Sequence, residues 1–245
     1  MTSRSRPPKS AMLVAERIVQ DALREGIGPG DALPLEKSML LRYEIGRGTL
    51  REALRLLEFQ GVIVLKPGMH GGPVMQDPDA SHLGSTLALL MQLKSAPLRT
   101  IAEVRTALEP MICRLAAERM SAQSLDELHG TIDRMRTDID DERIFLEANK
   151  RFHEIIAWSS GNTLFGYLVA SLFRIMDSAV TGIDYPWHRR TAVVHAHEQI
   201  YDALRSHDPQ MSEVRMREHI ADYDRFTEQK YPEVLKQTIR WRHPM

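Results

Sequence analysis

Asn149 and His153 stand four residues apart in a stretch with helical periodicity, so both side chains leave one face of one helix. His197 lies among Val193, Val194, Ile200 and Tyr201, and His219 near Met216, Tyr223 and Phe226. Each imidazole therefore enters an apolar interior from a helix of its own. Imidazoles suit Zn, Ni, Cu or Fe better than Mg or Ca, and an amide oxygen is a neutral, weaker ligand than a carboxylate. Spacing joins only Asn149 with His153; taken singly, each histidine reads more readily as a hydrogen-bonded core or rim residue than as a ligand. His195 is about 200° round the helix from His197 and points elsewhere.

A second chemistry is cationic. In the stretch Gly46–Leu57, Leu50, Ala53, Leu54 and Leu57 form one apolar helical stripe, while Arg47, Arg51 and Arg55 recur every four residues as a second row. A forked guanidinium pairs bidentately with a guanine edge or binds phosphate. Alone, such a row reads first as a solvated face. Its surroundings change that reading. Periodicity from near Ser10, with Met12, Ala15, Val19 and Ala22 facing inward, predicts a helix that stops at Gly26–Ile27–Gly28–Pro29–Gly30. A short helix is expected over 35–43 and the arginine-bearing one over 47–59. Val62–Leu65 reads as a strand, Lys66–Gly72 as a turn and Pro73–Met75 as a return strand. Three helices and a hairpin make a winged helix-turn-helix, whose third helix enters the major groove.

The whole chain is of ordinary soluble composition, with 43% hydrophobic and 27% charged residues. Its net charge of −1 divides unevenly: residues 1–75 hold 11 Lys/Arg against 8 Asp/Glu, the remainder 21 against 25. That asymmetry allows a basic head carried by an acidic partner domain. The single cysteine, Cys113, excludes an intramolecular disulfide and a cysteine-built zinc site, and its apolar helical setting reads as a buried thiol. Residues 1–9 are polar and basic and read as disordered; no apolar signal core follows them. The longest uncharged run, Ile155–Phe173, is broken by Ser159–Ser160–Gly161–Asn162, so no membrane span is expected and a cytoplasmic location fits.

Beyond the polar link Gln76–Asp79 the chain carries no strand signal and some seven helical stretches, at 80–94, 97–120, 124–138, 141–159, 163–178, 190–206 and 209–229. Ser124–x–x–Glu127 has capping-box spacing, and Asp208–Pro209 places a cap before a first-turn proline. The expected fold is mainly α: a winged helix-turn-helix over 10–75 and an all-α bundle over 80–230, followed by a loosely held tail, Tyr231–Met245.

Leu33–Pro34–x–Glu36, Arg47–x–Thr49–Leu50–Arg51–Glu52–Ala53–Leu54 and Leu57–x–x–x–Gly61–Val62–Ile63 resemble the GntR family of bacterial transcription regulators, FadR-like branch. The resemblance implies DNA contacts from Lys37, Arg47, Arg51 and the wing-tip Gly68, with Thr49 on phosphate. Three positions depart from the pattern. Glu44 stands where a turn glycine is usual, Gly46 replaces a Ser/Thr before the first arginine, and Leu35 replaces a capping Ser. Glu103–x–Arg105–x–x–x–Glu109, Phe152–His153, Gly161–Asn162, His197–Glu198–x–Ile200 and Met216–Arg217–x–His219 are similar to the FCD effector domain of these regulators. That likeness implies one divalent transition metal, Zn or Ni, held by His153, His197 and His219, with Asn149 in place of the family's Asp. It also places Arg105 at the effector cavity as a carboxylate clamp; a helical ion pair with Glu109 is the alternative.

The reading that follows is a homodimeric regulator, responsive to a small organic acid, that binds an inverted-repeat operator in double-stranded DNA. Two alternatives stand beside it: a metal-dependent enzyme with a three-histidine centre, and an architectural DNA binder without effector. The absence of HExxH, of a P-loop and of a Gly-rich nucleotide fingerprint weighs against the enzyme.

Overall fold

The computed structural model describes residues 11–68, 71–179 and 182–241. Residues 1–10, 69–70, 180–181 and 242–245 lie outside the described residues, and with them the segment expected to be disordered, part of the expected turn Lys66–Gly72 and part of the expected loose tail. The chain divides into two compact units, one ending at His82 and the other beginning at Leu83.

The first unit orders its elements as α1 (Ala11–Arg24), α2 (Glu36–Tyr43), α3 (Arg47–Phe59), β1 (Ile63–Lys66) and β2 (Gly72–Met75). The stripe of α3 is buried as expected, with Leu50 and Ala53 fully covered, and α1 packs against it. On α1 the buried face is displaced from the expected one. Val14, Ala15, Ile18 and Ala22 are buried, whereas Met12 is 57% exposed and Val19 lies at the margin. Val14 and Ile18 stand one turn apart, so burying that pair rotates Met12 out of the core.

Helix α2 starts at Glu36 without a side-chain cap, because Leu35 has no oxygen to offer the first N–H groups. It ends at Glu44 in the left-handed conformation (φ 51°, ψ 50°), a geometry glycine adopts more cheaply. Arg42 ties the end of α2 to α1 by pairing with Asp21 at 3.0 Å and Glu25 at 2.6 Å. The hairpin begins one residue later than expected. The Val62 N–H bonds the Leu57 carbonyl at 2.9 Å to close α3, so pairing starts at Ile63 opposite Met75 and runs to Lys66 opposite Gly72. Gly68, at φ +106°, makes the wing turn and accepts from the Gly71 N–H at 2.9 Å. A single bridge from Ala32 to Val74 adds a short third strand.

Helix α4 (Ser81–Leu93) starts two residues before the division, and the rest of the second unit is helical among its described residues: α5 (Arg99–Arg119), α6 (Ala122–Thr137), α7 (Glu142–Ser159), α8 (Thr163–Ala179), α9 (Trp187–Arg205), α10 (Pro209–Lys230) and α11 (Pro232–Leu235). Helix α5 lies along α10, α6 along α7, and α9 against α6 and α10. Their shared core contains Ile112, Cys113, Leu128, Phe145, Phe152 and Ile156. No helix among the described residues is long and apolar enough to cross a membrane.

Three expectations are corrected. Helix α6 begins at Ala122, not 124: Ser121 is the N-cap, its Oγ accepting the Ser124 N–H at 3.1 Å, so Ser124 is the capped residue. Helix α9 begins at Trp187, three residues early, because Pro186 supplies the extended entry and its carbonyl accepts the Arg189 and Arg190 N–H groups. The tail is held rather than loose. Leu235 and Ile239 are buried, the Leu98 N–H bonds the Gln237 carbonyl, the Ile239 N–H bonds the Ala96 carbonyl, and the Trp241 indole N–H reaches Ser85 Oγ at 2.7 Å. These few apolar residues in a polar sequence show no stripe, yet Ile239 and Val234 join the cluster of Leu98 and Ile101, and Leu235 lines a small hollow with the same two residues.

Candidate metal and effector site

Helix α7 supplies His153, α9 His197 and α10 His219, and the bundle core brings the three together, all buried. The His197 and His219 Nε2 atoms are 3.2 Å apart, and those of His219 and His153 3.4 Å. Four ligands at the usual zinc–nitrogen distance of about 2.0–2.1 Å have neighbours roughly 3.3 Å apart at the corners of a tetrahedron. Two of the three pairs thus already stand at ligand spacing, and all three ligand atoms lie within 4.8 Å of one another. His195, two residues from His197, is exposed, as its place on the helix requires.

The surroundings prepare the rings. Phe152 stacks on His197, with centroids 3.8 Å apart and planes 8° from parallel. Glu109 Oε2 lies 2.5 Å from His153 Nδ1. A carboxylate at Nδ1 accepts a hydrogen bond from Nδ1–H and so leaves the bare Nε2 facing the other histidines. Burial, then the neighbouring imidazoles and Arg105, holds His197 well below the usual imidazole range; burial, with His153 and Arg105, does the same for His219. Burial also lowers His153, against the pull of Glu109. Neutral rings are the ligating form. The Nδ1 of His197 is buried without a hydrogen-bond partner. Three ring nitrogens gathered from three helices, one ring held at its other nitrogen by a carboxylate, make a donor set that fits a divalent transition metal.

Arg105 pairs through Nε with Glu109 Oε1, one turn along α5, and both are buried. Of its two expected roles, the ion pair is therefore made. Its guanidinium also lies 4.5 Å from the Phe173 ring centre and lines a cavity of about 430 Å³. Burial alone would raise Glu109, but Arg105 first and His153 next hold it well below the usual carboxylate range. Cys113 is fully buried, and burial pushes its thiol up, which leaves it inert.

The same cavity is lined by Asn149, Lys150, His153, Tyr185, Arg189, His219 and Tyr223. Asn149 is half-buried one turn before His153. Sequence reasoning missed the part played by Glu109, although its spacing from Arg105 and the apolar run after it were visible. It also missed Arg189, which sits at the polar start of α9 and reads as surface.

In the first unit, Lys37 on α2 and Arg47 and Arg51 on α3 are exposed, Thr49 is half-buried, and Gly68 is exposed at the wing turn. Arg51 Nε is 4.0 Å from Glu36, a loose tether between two exposed side chains. Lys37, Arg51, Arg55 and Lys66 line one groove between α2, α3 and the hairpin. Lys66, the last residue of β1, had no assigned role in the sequence reading.

Comparison with known proteins agrees with this architecture. Residues 11–69 match the model described as "Bacterial regulatory proteins, gntR family", and residues 100–222 match the FCD domain. The chain is 33% identical over 210 residues to the uncharacterized HTH-type transcriptional regulator YcbG of Bacillus subtilis, covering 86% of each chain. It is 26% identical over 224 residues to the HTH-type transcriptional repressor NanR of Escherichia coli K12, covering 89% of this chain and 85% of that one. The solved structure of Streptococcus agalactiae GntR shares the fold, with a TM-score of 0.69 at 23% identity over 88% of this chain and 99% of that one. The chain belongs to the GntR family and is a transcription regulator, not an enzyme, with an N-terminal winged helix-turn-helix and a C-terminal FCD domain.

Proposed function

We propose that this regulator senses a small organic acid at a transition metal held in its FCD domain, and answers by changing how a homodimer binds an inverted-repeat operator. The observation that carries this reading is the convergence of three buried imidazoles beside a cavity lined by Arg105, Lys150 and Arg189. His153, His197 and His219 would hold Zn or Ni, with Asn149 as a weak neutral partner. When bound, the metal supplies a Lewis-acidic anchor for carboxylate and hydroxyl oxygens. The chain's own residues do the rest: Glu109 orients His153, Phe152 orients His197, and Arg105 offers a charge to the anion while Glu109 holds it in place.

Lys37, Arg47, Thr49, Arg51 and Gly68 are proposed to meet the DNA, with α3 in the major groove. One recognition helix reads too few base pairs for useful specificity, and a twofold dimer on an inverted repeat doubles the number read. The test pairs elemental analysis of protein purified without chelator with operator titrations, with and without a panel of carboxylic acids, for the parent and His197→Ala. Loss of metal and of acid response together in His197→Ala is expected. A full response in metal-free protein would leave the histidines as core residues, and DNA binding indifferent to every acid would favour an architectural role.

A further inference from the structure

Of the two buried arginines that line the cavity, Arg189 is the one with donors left unused. It is 6% exposed, and its Nη1 pairs with Asp222, yet Nε and Nη2 are both buried with no hydrogen-bond partner. Those two atoms share one edge of the guanidinium, the side-on fork that matches the two oxygens of a carboxylate or the edge of a phosphate. Phe226 holds the group in place, its ring centre 4.7 Å from the guanidinium carbon. Arg105 differs, because its Nε is already taken by Glu109.

Arg189 belongs to the same cavity as two of the histidines, His153 and His219. Arg189 lines it together with His153, His219, Tyr185 and Tyr223. Buried donors without partners are rare in folded proteins, and such a pair at a cavity wall calls for an acceptor from outside the chain.

We infer that the effector carries two anionic groups, one seated at the histidine cluster and a second, carboxylate or phosphate, taken side-on by Arg189 Nε and Nη2. This rests on the acid-at-metal reading above and narrows its ligand class to acids with a second anionic end. Arg189 is thus a specificity-determining residue, since a neutral group at the second position leaves the fork unfilled.

The experiment compares succinate, 3-phosphonopropionate and the monoamide succinamate by calorimetry on zinc-loaded full-length protein, for the parent, Arg189→Gln and Arg189→Lys. Zinc content and thermal midpoint are recorded for each. A charge-assisted bidentate pair is worth roughly 1.5–3 kcal/mol, so the parent should prefer a dianion to succinamate by about 10–100-fold. The better of succinate and phosphonopropionate identifies the second group as carboxylate or phosphate. Arg189→Gln should abolish the preference while keeping zinc and succinamate affinity, and Arg189→Lys should restore only part of it. A preference unchanged in Arg189→Gln, or absent in the parent, overturns the inference while leaving the acid-at-metal reading intact. Binding of none of the three compounds by zinc-loaded parent protein overturns both.

Discussion

Glu109 serves two masters: Oε1 takes Arg105, and Oε2 takes His153 Nδ1 at 2.5 Å. One buried carboxylate thereby neutralises a buried guanidinium and sets the tautomer of a candidate ligand. Partners of this kind behind a metal-binding histidine typically change metal affinity 10–100-fold. Glu109→Gln keeps an acceptor but removes the charge, so zinc affinity should fall by about that factor. The same change leaves the buried Arg105 charge without its counter-ion, which costs about 3–5 kcal/mol. Chelator competition and a urea melt on the same preparation measure the two effects separately. Unchanged zinc affinity would reduce Glu109 to a structural ion-pair partner.

Acid should unfold the metal-stripped protein early. His197 and His219 are held neutral by burial in the folded state, while in the unfolded chain they protonate near the ordinary imidazole value of about 6.5. Below that pH the unfolded state binds more protons, so stability falls as pH drops, by up to about 1.4 kcal/mol per pH unit for each ring. Glu109, lowered in the folded state, adds a second loss that begins as pH falls through about 4.3. Denaturant midpoints at pH 8, 6.5 and 5.5 check the first window. A flat response across it would show that both rings titrate in the folded protein.

The helical class and the winged head were legible because their signals are local. Leu50, Ala53, Leu54 and Leu57 define the buried face of α3 by spacing alone, and all four are buried. The convergence of His153, His197 and His219 was not legible in that way. They lie on α7, α9 and α10, and only tertiary packing brings their Nε2 atoms within reach; family resemblance supplied what spacing did not. Arg189 was invisible for a related reason. An arginine in the first turn of a helix looks solvated, and its burial depends on Phe226 and Asp222, more than thirty residues away. The displaced face of α1 and the cap at Ser121 show the finer limit. Met12, Val14, Val19 and Ile18 are all apolar, and Ser121 and Ser124 both have cap chemistry, so only packing chooses between them.

On the DNA side, Arg51 and Lys37 should separate by what they read. Arg51 projects from α3, and its loose 4.0 Å tether to Glu36 leaves it available to a base edge. Arg51→Ala should cost roughly 1–3 kcal/mol on the operator and relax its sequence preference. Lys37, exposed on α2, fits a phosphate contact. Lys37→Ala should weaken operator and random DNA alike and reduce the salt slope by about 1. Titrations on both DNAs at two salt concentrations decide it. Equal losses on the two DNAs for Arg51→Ala would place Arg51 on the backbone.

Asn149 offers the sharpest test of the metal reading, because it would bring an amide to the proposed ligand set where a carboxylate would bind more strongly. It lies one turn before His153 and lines the cavity that His153 and His219 also line. An amide oxygen ligates a divalent ion weakly, whereas a carboxylate in the same place adds a full charge opposite the cation. Asn149→Asp should therefore tighten zinc binding, while an acid that needs an open coordination position should bind less well relative to the metal. In metal-free protein the same change adds a partly buried carboxylate beside neutral rings, so stability should fall without zinc and rise with it. Thermal midpoints with and without saturating zinc read both signs in one experiment. If Asn149→Asp shifts the two midpoints equally, residue 149 does not reach the ion, and the three histidines alone remain as its protein ligands.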